Sequence, residues 1–339
     1  MKAAVLQEFK KPLVIQEVAR PTPGPEDILI EVEACGVCHS DLHVADGDWS
    51  QLAGIVKKPL ILGHEVAGHV VEKGATVRDL HIGDRVGVPW IHWTCGECEW
   101  CRGGNENLCP QQKITGVTVD GGYAEFVKAP ASHVQRIPDG LSAHDAAPLF
   151  CAGVTVYRAL HKSQLAPNQR LGIFGVGGLG HLAIQIGRAL GAEVIAIDIS
   201  DEKLALAESL GAASTLNALA KDVVQQLRGK GGVHIALVTS ASKAAYDVAF
   251  YALRPTGTLL VVGLPAENIC FPPILMAAGE IHIQASAVGT REDLRQVLAM
   301  AAAGKVRCQV ATRPLTDVNH VLEQLRCGRI TGRVVLLPH

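Results

Sequence analysis

Four cysteines lie close together in WTCGECEWCRGGNENLC, at Cys95, Cys98, Cys101 and Cys109. Zinc binds four thiolates in a tetrahedron, and a Cys-x-x-Cys turn places two sulfurs on one side of the ion near backbone amides. We therefore predict a closed zinc site that staples a loop and leaves no position for a substrate. Four unliganded thiols are one alternative, and an iron–sulfur cluster is another. Pro110, which follows the last cysteine, is compatible with the iron–sulfur alternative.

A glycine-rich turn follows an apolar run further along the chain, in LGIFGVGGLGHLAIQIGRALG. Gly175, Gly177 and Gly180 open a stretch with helical periodicity, the context of a dinucleotide-binding fingerprint. The first glycine permits a tight turn, the second lets a pyrophosphate approach the backbone, and the third lets the helix pack on the strand. Asp198 ends the next apolar run, EVIAID, where a carboxylate would accept the ribose hydroxyls of adenosine and repel the phosphate of NADP. The pattern predicts NAD as coenzyme, and a plain glycine turn with a helix-capping aspartate is the alternative.

Other residues that could ligate a metal are scattered. Cys38 lies in CGVCHSDLH, where it forms a further Cys-x-x-Cys pair with Cys35; His64 and Glu65 lie in ILGHEVAGH, and Cys151 in APLFCAGVTVY. Spacing alone does not join them, and each could be a core residue instead. The other histidines and cysteines are expected at the surface or in the core: His69, His81, His92, His133, His161, His234, His282, His320, Cys270, Cys308 and Cys327.

The elements that must position these residues change in type along the chain. The first half contains short β-type runs, such as ILIEVEACGV and HEVAGHVVEKG, between turn residues, which predicts a β-rich domain with long loops. After residue 150 the apolar runs RLGIFG, EVIAID, STLN, HIALVTS and GTLLVVG alternate with helical stretches, a pattern that indicates a parallel α/β sheet. The residues after 289 depart from this rhythm, and we expect them to return to the first domain.

Length and composition favour a globular protein of two domains. The chain has 339 residues, of which 48% are hydrophobic and 19% charged, and its formal net charge is -2. Interspersed charges of both signs argue against a general electrostatic grip on nucleic acid or an anionic membrane. No secretory signal or membrane span is visible, and ten cysteines are then better explained by metal binding than by disulfides. We expect a reduced, cytoplasmic protein.

The motifs GVCHSDLH, GHE, the four-cysteine array, GGYAE, CAGVTVY, GVGGLG and AVGTR resemble the zinc-dependent alcohol dehydrogenases of the medium-chain dehydrogenase/reductase superfamily, especially the bacterial and yeast type. The resemblance covers essentially the whole chain. It implies an α/β plus β fold with a GroES-like catalytic domain (1–151) that holds both zincs, a doubly wound Rossmann domain (152–288) that binds NAD, and a C-terminal segment (289–339) that returns to the first domain. It also implies a homotetramer.

The resemblance assigns the catalytic zinc to Cys38, His64 and Cys151, with Glu65 as an alternative ligand, and leaves Cys35 to the strand core. An alcohol at the open fourth position would lose its proton because the metal stabilises the alkoxide, which would then transfer hydride to NAD. The products would be an aldehyde and NADH.

Further roles are implied around that metal. Asp41 would orient the ligand histidine, and Ser40 and His43 would form a proton relay through the nicotinamide ribose to solvent. His39 and Arg333 would face the pyrophosphate and Thr155 the nicotinamide. The complete set of implied coenzyme contacts is His39, Thr155, Gly175, Gly177, Gly178, Leu179, Gly180, Asp198, Lys203, Val288 and Arg333.

Trp49 in DGDW and Trp90 in VPW resemble the bulky pocket residues of relatives that oxidise small primary alcohols, although each could also be simple core packing. We therefore expect small aliphatic alcohols and aldehydes as substrates, with benzyl alcohols as a further class. One alternative is a zinc-dependent dehydrogenase for a larger, secondary or polyol substrate. A remote one is a non-enzymatic zinc-ribbon module at residues 90–110.

Overall fold

The structure is a computed structural model that describes residues 1–49, 54–265 and 267–339. The chain divides into two compact units: unit 1 comprises Met1–Val154, Thr290–Ala303 and Cys308–His339, and unit 2 comprises Thr155–Gly289 and Gly304–Arg307. Of the segment expected to return to the first domain, Thr290–Ala303 and Cys308–His339 lie in unit 1 and Gly304–Arg307 lies in unit 2. Within unit 2, the side-chain amide of Gln185 donates to the carbonyl of Arg307 and accepts from its N–H, both at 2.9 Å.

Strands and helices are numbered in chain order. The strands are β1 (Lys2–Leu6), β2 (Val14–Glu17), β3 (Asp27–Gly36), β4 (Leu60–Ile61), β5 (Glu65–Lys73), β6 (Arg85–Val88), β7 (Ile91–Trp93), β8 (Lys113–Ile114), β9 (Phe126–Pro130), β10 (Gln135–Arg136), β11 (Arg170–Phe174), β12 (Glu193–Asp198), β13 (Ser214–Asn217), β14 (Val233–Val238), β15 (Leu253–Val261), β16 (His282–Ala285), β17 (Val310–Pro314) and β18 (Arg333–Leu337). The helices are α1 (His39–Asp46), α2 (Glu99–Arg102), α3 (Ala143–Ala146), α4 (Ala152–Lys162), α5 (Gly180–Ala189), α6 (Asp201–Ser209), α7 (Val223–Gly229), α8 (Lys243–Ala252), α9 (Pro273–Gly279), α10 (Arg291–Ala302) and α11 (Val318–Arg326). Short 3-10 helices cover Glu106–Leu108, Ala131–His133, Ala147–Phe150 and Leu315–Asp317.

Unit 1 is rich in β-structure. Over the described residues its main sheet has the order β10-β6-β5-β3-β18-β17, with β9 also paired to β3, and smaller sheets join β2-β1-β4 and β7-β8. Gly36 at the end of β3 lies opposite Glu65 of β5 on one side and Val335 of β18 on the other. Because β18 is hydrogen-bonded into this sheet, the end of the chain is part of unit 1. The sheet brings three distant segments together at Gly36.

Unit 2 contains a parallel sheet of order β13-β12-β11-β14-β15-β16. This is the doubly wound order, in which the direction of strand addition reverses between β11 and β14. Strand β12 reads EVIAID and is buried from its second residue onwards, as expected for a parallel strand covered by helices on both faces. The five strand-like runs expected after residue 150 are all present in this sheet.

Two helices that follow unit 2 in sequence belong to unit 1. Helix α10 begins with a capping box between Thr290 and Asp293. Helix α11 buries an apolar stripe at helical spacing, Val318, Val321, Leu322 and Leu325, in the core of unit 1. In the part of the chain that the structure describes, no helix has both the length and the apolar character required to cross a bilayer.

Candidate active site and metal centres

Four scattered residues meet in the interior of unit 1. The donor atoms of Cys38, His64, Glu65 and Cys151 all lie within 4.8 Å of one another, and all four residues are buried. The sulfurs of Cys38 and Cys151 are 4.0 Å apart. In a tetrahedral site with zinc–sulfur bonds of about 2.3 Å, two thiolates are separated by about 3.8 Å. The group therefore fits the predicted zinc site.

The orientation of His64 is set by Asp41. Its Nδ1 lies 2.9 Å from Oδ1 of Asp41, while its Nε2 is buried and has no hydrogen-bond partner among the described residues. The carboxylate accepts a hydrogen bond from the protonated Nδ1, so the unprotonated Nε2 carries a lone pair and lies among the two cysteines. A buried imidazole nitrogen without a partner is costly unless a ligand occupies it. This orphaned atom is the clearest sign of a metal position.

Asp41 is itself held by several donors. It accepts hydrogen bonds from the backbone N–H groups of Cys38 at 2.9 Å and Gly63 at 3.3 Å, and from the hydroxyl of Tyr123 at 2.9 Å. Tyr123 is fully buried, and burial raises the pKa of its hydroxyl well above the usual value, so the group stays a donor. Sequence reasoning assigned no role to Tyr123, although it belongs to the GGYAE motif that supported the resemblance.

Glu65 forms a buried ion pair with Arg333, whose Nη2 donates to Oε1. Burial raises the pKa of Glu65 to about 7, against the opposing effect of the guanidinium. Its second oxygen, Oε2, has no partner in the described residues and lies where a Cβ on Gly36 would come within 1.9 Å of it. Only glycine at that position leaves room for the carboxylate. Arg333 was expected at the pyrophosphate; here it is buried beside Glu65.

The two buried thiols titrate as a pair. Their contact lowers the pKa of Cys38 well below the usual value and raises that of Cys151, because the proton held by one sulfur is shared with the other. Cys35 behaves differently: burial raises its pKa, and it lies in the middle of the unit 1 core. This agrees with its expected place in the strand core.

Helix α1 carries the predicted relay. Ser40 and His43 lie one turn apart, and the Oγ of Ser40 accepts a weak contact from the sulfur of Cys38 at 3.7 Å. The Nδ1 of His43 lies 3.2 Å from Oδ2 of the exposed Asp48. His39 begins the same helix and is exposed. The helix thus runs from the buried Cys38 towards the surface.

The two predicted pocket tryptophans lie at this site. Trp49 stacks on His43 with ring centroids 5.0 Å apart, and Trp90 packs edge-on against His64 at 4.8 Å. The two indoles meet each other at 6.5 Å in an edge arrangement. Both indoles pack against the core of unit 1 but are only partly buried, so part of each side chain remains accessible.

The four-cysteine array forms a second group in unit 1. Cys95, Cys98, Cys101 and Cys109 have donor atoms within 4.8 Å of one another, with sulfur separations of 3.9 Å (Cys95 to Cys101) and 3.6 Å (Cys95 to Cys109). These match thiolates on a single ion; in a four-iron cluster each cysteine would bind a different iron and lie further from the others. Backbone N–H groups lower the pKa of Cys95 to about 7, which favours the thiolate. The array fits one zinc ion.

In unit 2 the glycine-rich loop has the geometry that its motif predicts. Gly175 has φ 104, and Gly180 allows α5 to begin because a Cβ there would lie 1.9 Å from the carbonyl oxygen of Gly175. Gly177 faces open space, with nothing within 4 Å of its Cβ position. Gly175 thus permits the tight turn and Gly180 the close packing of helix on strand, whereas the space beside Gly177 stays open, as a cradle for a pyrophosphate would require.

Asp198 lies at the end of β12, beside that loop. Its carboxylate accepts the N–H of Val176 at 2.6 Å and that of Ser200 at 3.0 Å. Lys203 lies in the first turn of α6, where its own N–H contacts the capping hydroxyl of Ser200. Four more residues expected to contact the coenzyme lie in unit 2. Gly178 and Leu179 lie on the glycine-rich loop, Thr155 is the first residue of the unit, and Val288 follows β16.

Comparison with known proteins identifies the family. Residues 24–139 match the alcohol dehydrogenase GroES-like domain, and residues 178–303 match the zinc-binding dehydrogenase family. An alcohol dehydrogenase of Geobacillus stearothermophilus is 48% identical over 337 residues, 99% of this chain and 98% of the relative. The crystal structure of the alcohol dehydrogenase from the archaeon Aeropyrum pernix has a TM-score of 0.93 at 38% identity and covers both chains completely. Acetophenone reductase from Geotrichum candidum, solved in complex with NAD, has a TM-score of 0.90 at 30% identity, with 99% and 96% of the two chains covered.

The chain belongs to the zinc-dependent alcohol dehydrogenases of the medium-chain dehydrogenase/reductase superfamily. The predicted family, fold class and enzymatic nature are thereby confirmed, and the zinc requirement agrees with both ligand groups. Membership of this enzyme family excludes the non-enzymatic zinc-ribbon module.

Proposed function

We propose that this enzyme oxidises small primary alcohols to aldehydes with NAD, and carries out the reverse reduction, at the Cys38–His64–Cys151 site. The observation that carries the proposal is the buried Nε2 of His64, which lacks a partner in the described residues and lies with both thiols inside 4.8 Å. Two thiolates that neutralise the charge of Zn²⁺, one neutral imidazole and an alternative fourth ligand, Glu65, suit a metal that must exchange water for substrate.

Zinc held by these ligands would lower the pKa of a bound alcohol and stabilise its alkoxide. The protein's own groups have separate tasks. Asp41 keeps the proton on Nδ1 of His64, so that Nε2 stays available as a ligand. Ser40 and His43 carry the alcohol proton outward along α1, with Asp48 beside the imidazole at the surface. Arg333 holds Glu65 by one oxygen and leaves the other free to approach the centre.

We propose NAD as the coenzyme, bound by the loop 175–180 and by Asp198. Support comes from the open cradle at Gly177, from the carboxylate at the end of β12, and from the NAD complex of the related acetophenone reductase. Replacing Asp198 by glycine should shift the ratio of kcat/KM from NAD towards NADP. The Glu208→Gln variant, which changes an exposed carboxylate of the same unit that accepts from Thr215, is the control and should keep the ratio. An unchanged ratio in Asp198→Gly would contradict the ribose role.

The substrate class rests on Trp49 and Trp90, whose indoles narrow the space beside His64. The test is the initial rate of NADH formation with ethanol, longer primary alcohols, benzyl alcohol, isopropanol and a polyol at matched concentrations. Fast turnover confined to primary alcohols supports the proposal. Protein that holds zinc and binds NAD yet prefers isopropanol or the polyol would instead place the substrate among secondary or polyhydroxylated alcohols.

We propose that the enzyme is a homotetramer in which unit 2 forms one of the contacts between copies. Strand β16 is the outer strand of its sheet over the described residues, and it is largely exposed. Exposed apolar side chains lie on β16 and on α9 of the same unit: Ile283 is 40%, Ile274 74% and Leu275 45% exposed. Light scattering after size exclusion should give four copies for the wild type and a smaller assembly for Ile283→Lys. The Ile82→Lys variant, at an exposed isoleucine of unit 1, is the control.

A reducing compartment such as the cytoplasm suits these sites, because the six cysteines of the two groups act as ligands only while they are thiolates. To test this, the protein is purified with a reductant and then mildly oxidised. We expect full zinc content and alcohol oxidation before the oxidation, and loss of both after it.

A further inference from the structure

Arg291, the first residue of α10, is tied to the four-cysteine loop. Its backbone N–H and its Nε both donate to Oε1 of Glu106 at 2.9 Å, and its Nη2 donates to Oε2 at 2.9 Å. Glu106 lies between the third and fourth cysteines and is 13% exposed. A bidentate, partly buried pair of this kind restrains both partners strongly. The carboxylate also satisfies an N–H group that the first turn of α10 leaves unpaired.

A second contact links Arg291 indirectly, through the 3-10 helix Ala131–His133, to the start of the same loop. Its Nη1 donates to the carbonyl of Ser132 at 2.8 Å. The neighbouring His133 accepts the N–H of Thr94 at Nε2, 3.0 Å away, so its proton is on Nδ1 and is shared with the hydroxyl of Ser132 at 2.8 Å. Thr94 directly precedes Cys95. Arg291 is therefore tied directly to the stretch between the third and fourth cysteines, and through Ser132 and His133 to the residue before the first cysteine.

On its other side, Arg291 borders a strained piece of backbone. Val288 has φ 40, a conformation that β-branched residues rarely adopt. Such strain persists only where neighbouring contacts hold it. After Val288, the N–H and hydroxyl of Thr290 both donate to Asp293, at 2.9 and 2.7 Å, and Arg291 is bound by Glu106. These contacts fix the chain directly beyond the strained residue.

The strand order indicates which half of the coenzyme Val288 would meet. A dinucleotide lies across the carboxyl ends of the strands at the point where the order reverses, here between β11 and β14. Asp198, at the end of β12, marks the adenosine side. Val288 follows β16, on the opposite side of the reversal, which is left for the nicotinamide half.

We propose that the Glu106–Arg291 pair is a positioning device that holds Val288 for the nicotinamide half of NAD, and that it thereby makes coenzyme affinity depend on the four-cysteine loop. The inference rests on the proposed coenzyme function. It gives the four-cysteine loop a part in coenzyme binding in addition to stapling its own segment.

The experiment compares Arg291→Lys and Glu106→Gln with a matched pair on the exposed face of α10, Arg295→Lys and Glu292→Gln, which remove a similar two-hydrogen-bond ion pair. The zinc-loaded enzymes are titrated with NADH and with ADP-ribose, which lacks the nicotinamide. We expect Arg291→Lys and Glu106→Gln to weaken NADH binding about tenfold, within the usual range of coupling between sites, and to leave ADP-ribose binding within about twofold. The double variant should be no weaker than either single one, because both remove the same interaction.

Equal NADH affinity in Arg291→Lys and Arg295→Lys would overturn the inference, and so would parallel losses of NADH and ADP-ribose binding. Hydrogen exchange of residues 286–290 in the ligand-free enzymes gives a readout that needs no coenzyme: exchange should be faster in Arg291→Lys than in Arg295→Lys. If wild type bound neither ligand, the proposed coenzyme function would fail by itself. Unchanged exchange would then separately refute the positioning role.

Discussion

Trp90 lies edge-on against the imidazole of His64, with ring centroids 4.8 Å apart and planes at 88°. The same indole meets Trp49, which in turn stacks on His43. A row of rings therefore connects the proposed metal ligand with the proposed relay histidine. The two tryptophans expected at the substrate pocket also pack against the two imidazoles proposed to take part in the chemistry.

Replacing Trp90 by alanine should affect specificity and rate together. The wider space should raise the relative rate with isopropanol, while kcat/KM for ethanol should fall about tenfold or more because His64 loses a packing partner. Trp90→Phe keeps a ring edge and should retain most of the ethanol activity. Trp93→Ala is the control, since Trp93 packs near the ammonium of Lys113. Steady-state kinetics with both alcohols would decide, and matching profiles for Trp90→Ala and Trp93→Ala would contradict the pocket role.

Asp41→Asn should weaken metal binding at the catalytic site. Only one oxygen of the asparagine amide can accept, whereas the carboxylate serves His64, Tyr123 and two backbone donors. We expect about a 10–100-fold loss of zinc affinity and a loss of about 1–3 kcal/mol in the free energy of unfolding. Zinc content after dialysis against a graded chelator measures the first, and urea unfolding the second.

The control for that substitution is Glu33→Gln, which disturbs an exposed histidine–carboxylate pair with His69 at 3.0 Å. It should leave zinc content and stability near those of the wild type, because exposed pairs contribute little. Asp41→Asn protein that retained both zincs at wild-type affinity would show that the carboxylate does not act through His64.

Two alanine substitutions in the glycine-rich loop should separate folding from coenzyme binding. Gly180→Ala places a Cβ 1.9 Å from the carbonyl oxygen of Gly175, so backbone must move, and we expect a loss of about 1–3 kcal/mol in stability. Gly177→Ala meets nothing within 4 Å and should fold normally, yet obstruct the close approach of a pyrophosphate. Thermal unfolding and NADH titration of both variants test this. Normal NADH affinity in Gly177→Ala would speak against the proposed cradle.

Stability should decline in weak acid because of two buried histidines in unit 1. Burial lowers the pKa of His92 to about 4, and the nearby His133 acts in the same direction. Burial also lowers the pKa of His133 to about 4, and there the charge of Arg291 adds to the effect. The unfolded chain binds these protons near about pH 6.5, so between 6.5 and 4 it holds more protons than the folded chain. The free energy of unfolding is therefore unaffected by these two histidines above about pH 6.5. It falls as the pH drops towards 4, by at most about 1.4 kcal/mol per pH unit for each histidine.

Urea unfolding at a series of pH values, with zinc content monitored, measures that slope. His92→Gln and His133→Gln should each make it shallower, whereas His144→Gln, at an exposed position, should keep the wild-type slope. Identical slopes in all four proteins would show that the acid sensitivity arises elsewhere.

Some features of this enzyme were determined by the sequence alone because the groups concerned are neighbours along the chain. The four cysteines span one short loop, so their spacing already limits which ions they can surround. The glycine-rich turn carries its own backbone requirements, which reappear as the φ of Gly175 and the tight packing at Gly180. The alternation of apolar runs and helices after residue 150 likewise sufficed for a parallel sheet, since periodicity is a local property.

Tertiary structure decided which distant residues meet. Cys38, His64 and Cys151 come together because β3 and β5 pair with Gly36 opposite Glu65, and because the 3-10 helix Ala147–Phe150 ends beside them. The partners of Arg333 and Arg291 depended on segments more than a hundred residues away in sequence. Such contacts are selected by burial and by the need to pair buried charges across the whole core. The spacing of residues along the chain does not predict these long-range contacts, and only the family resemblance anticipated part of them.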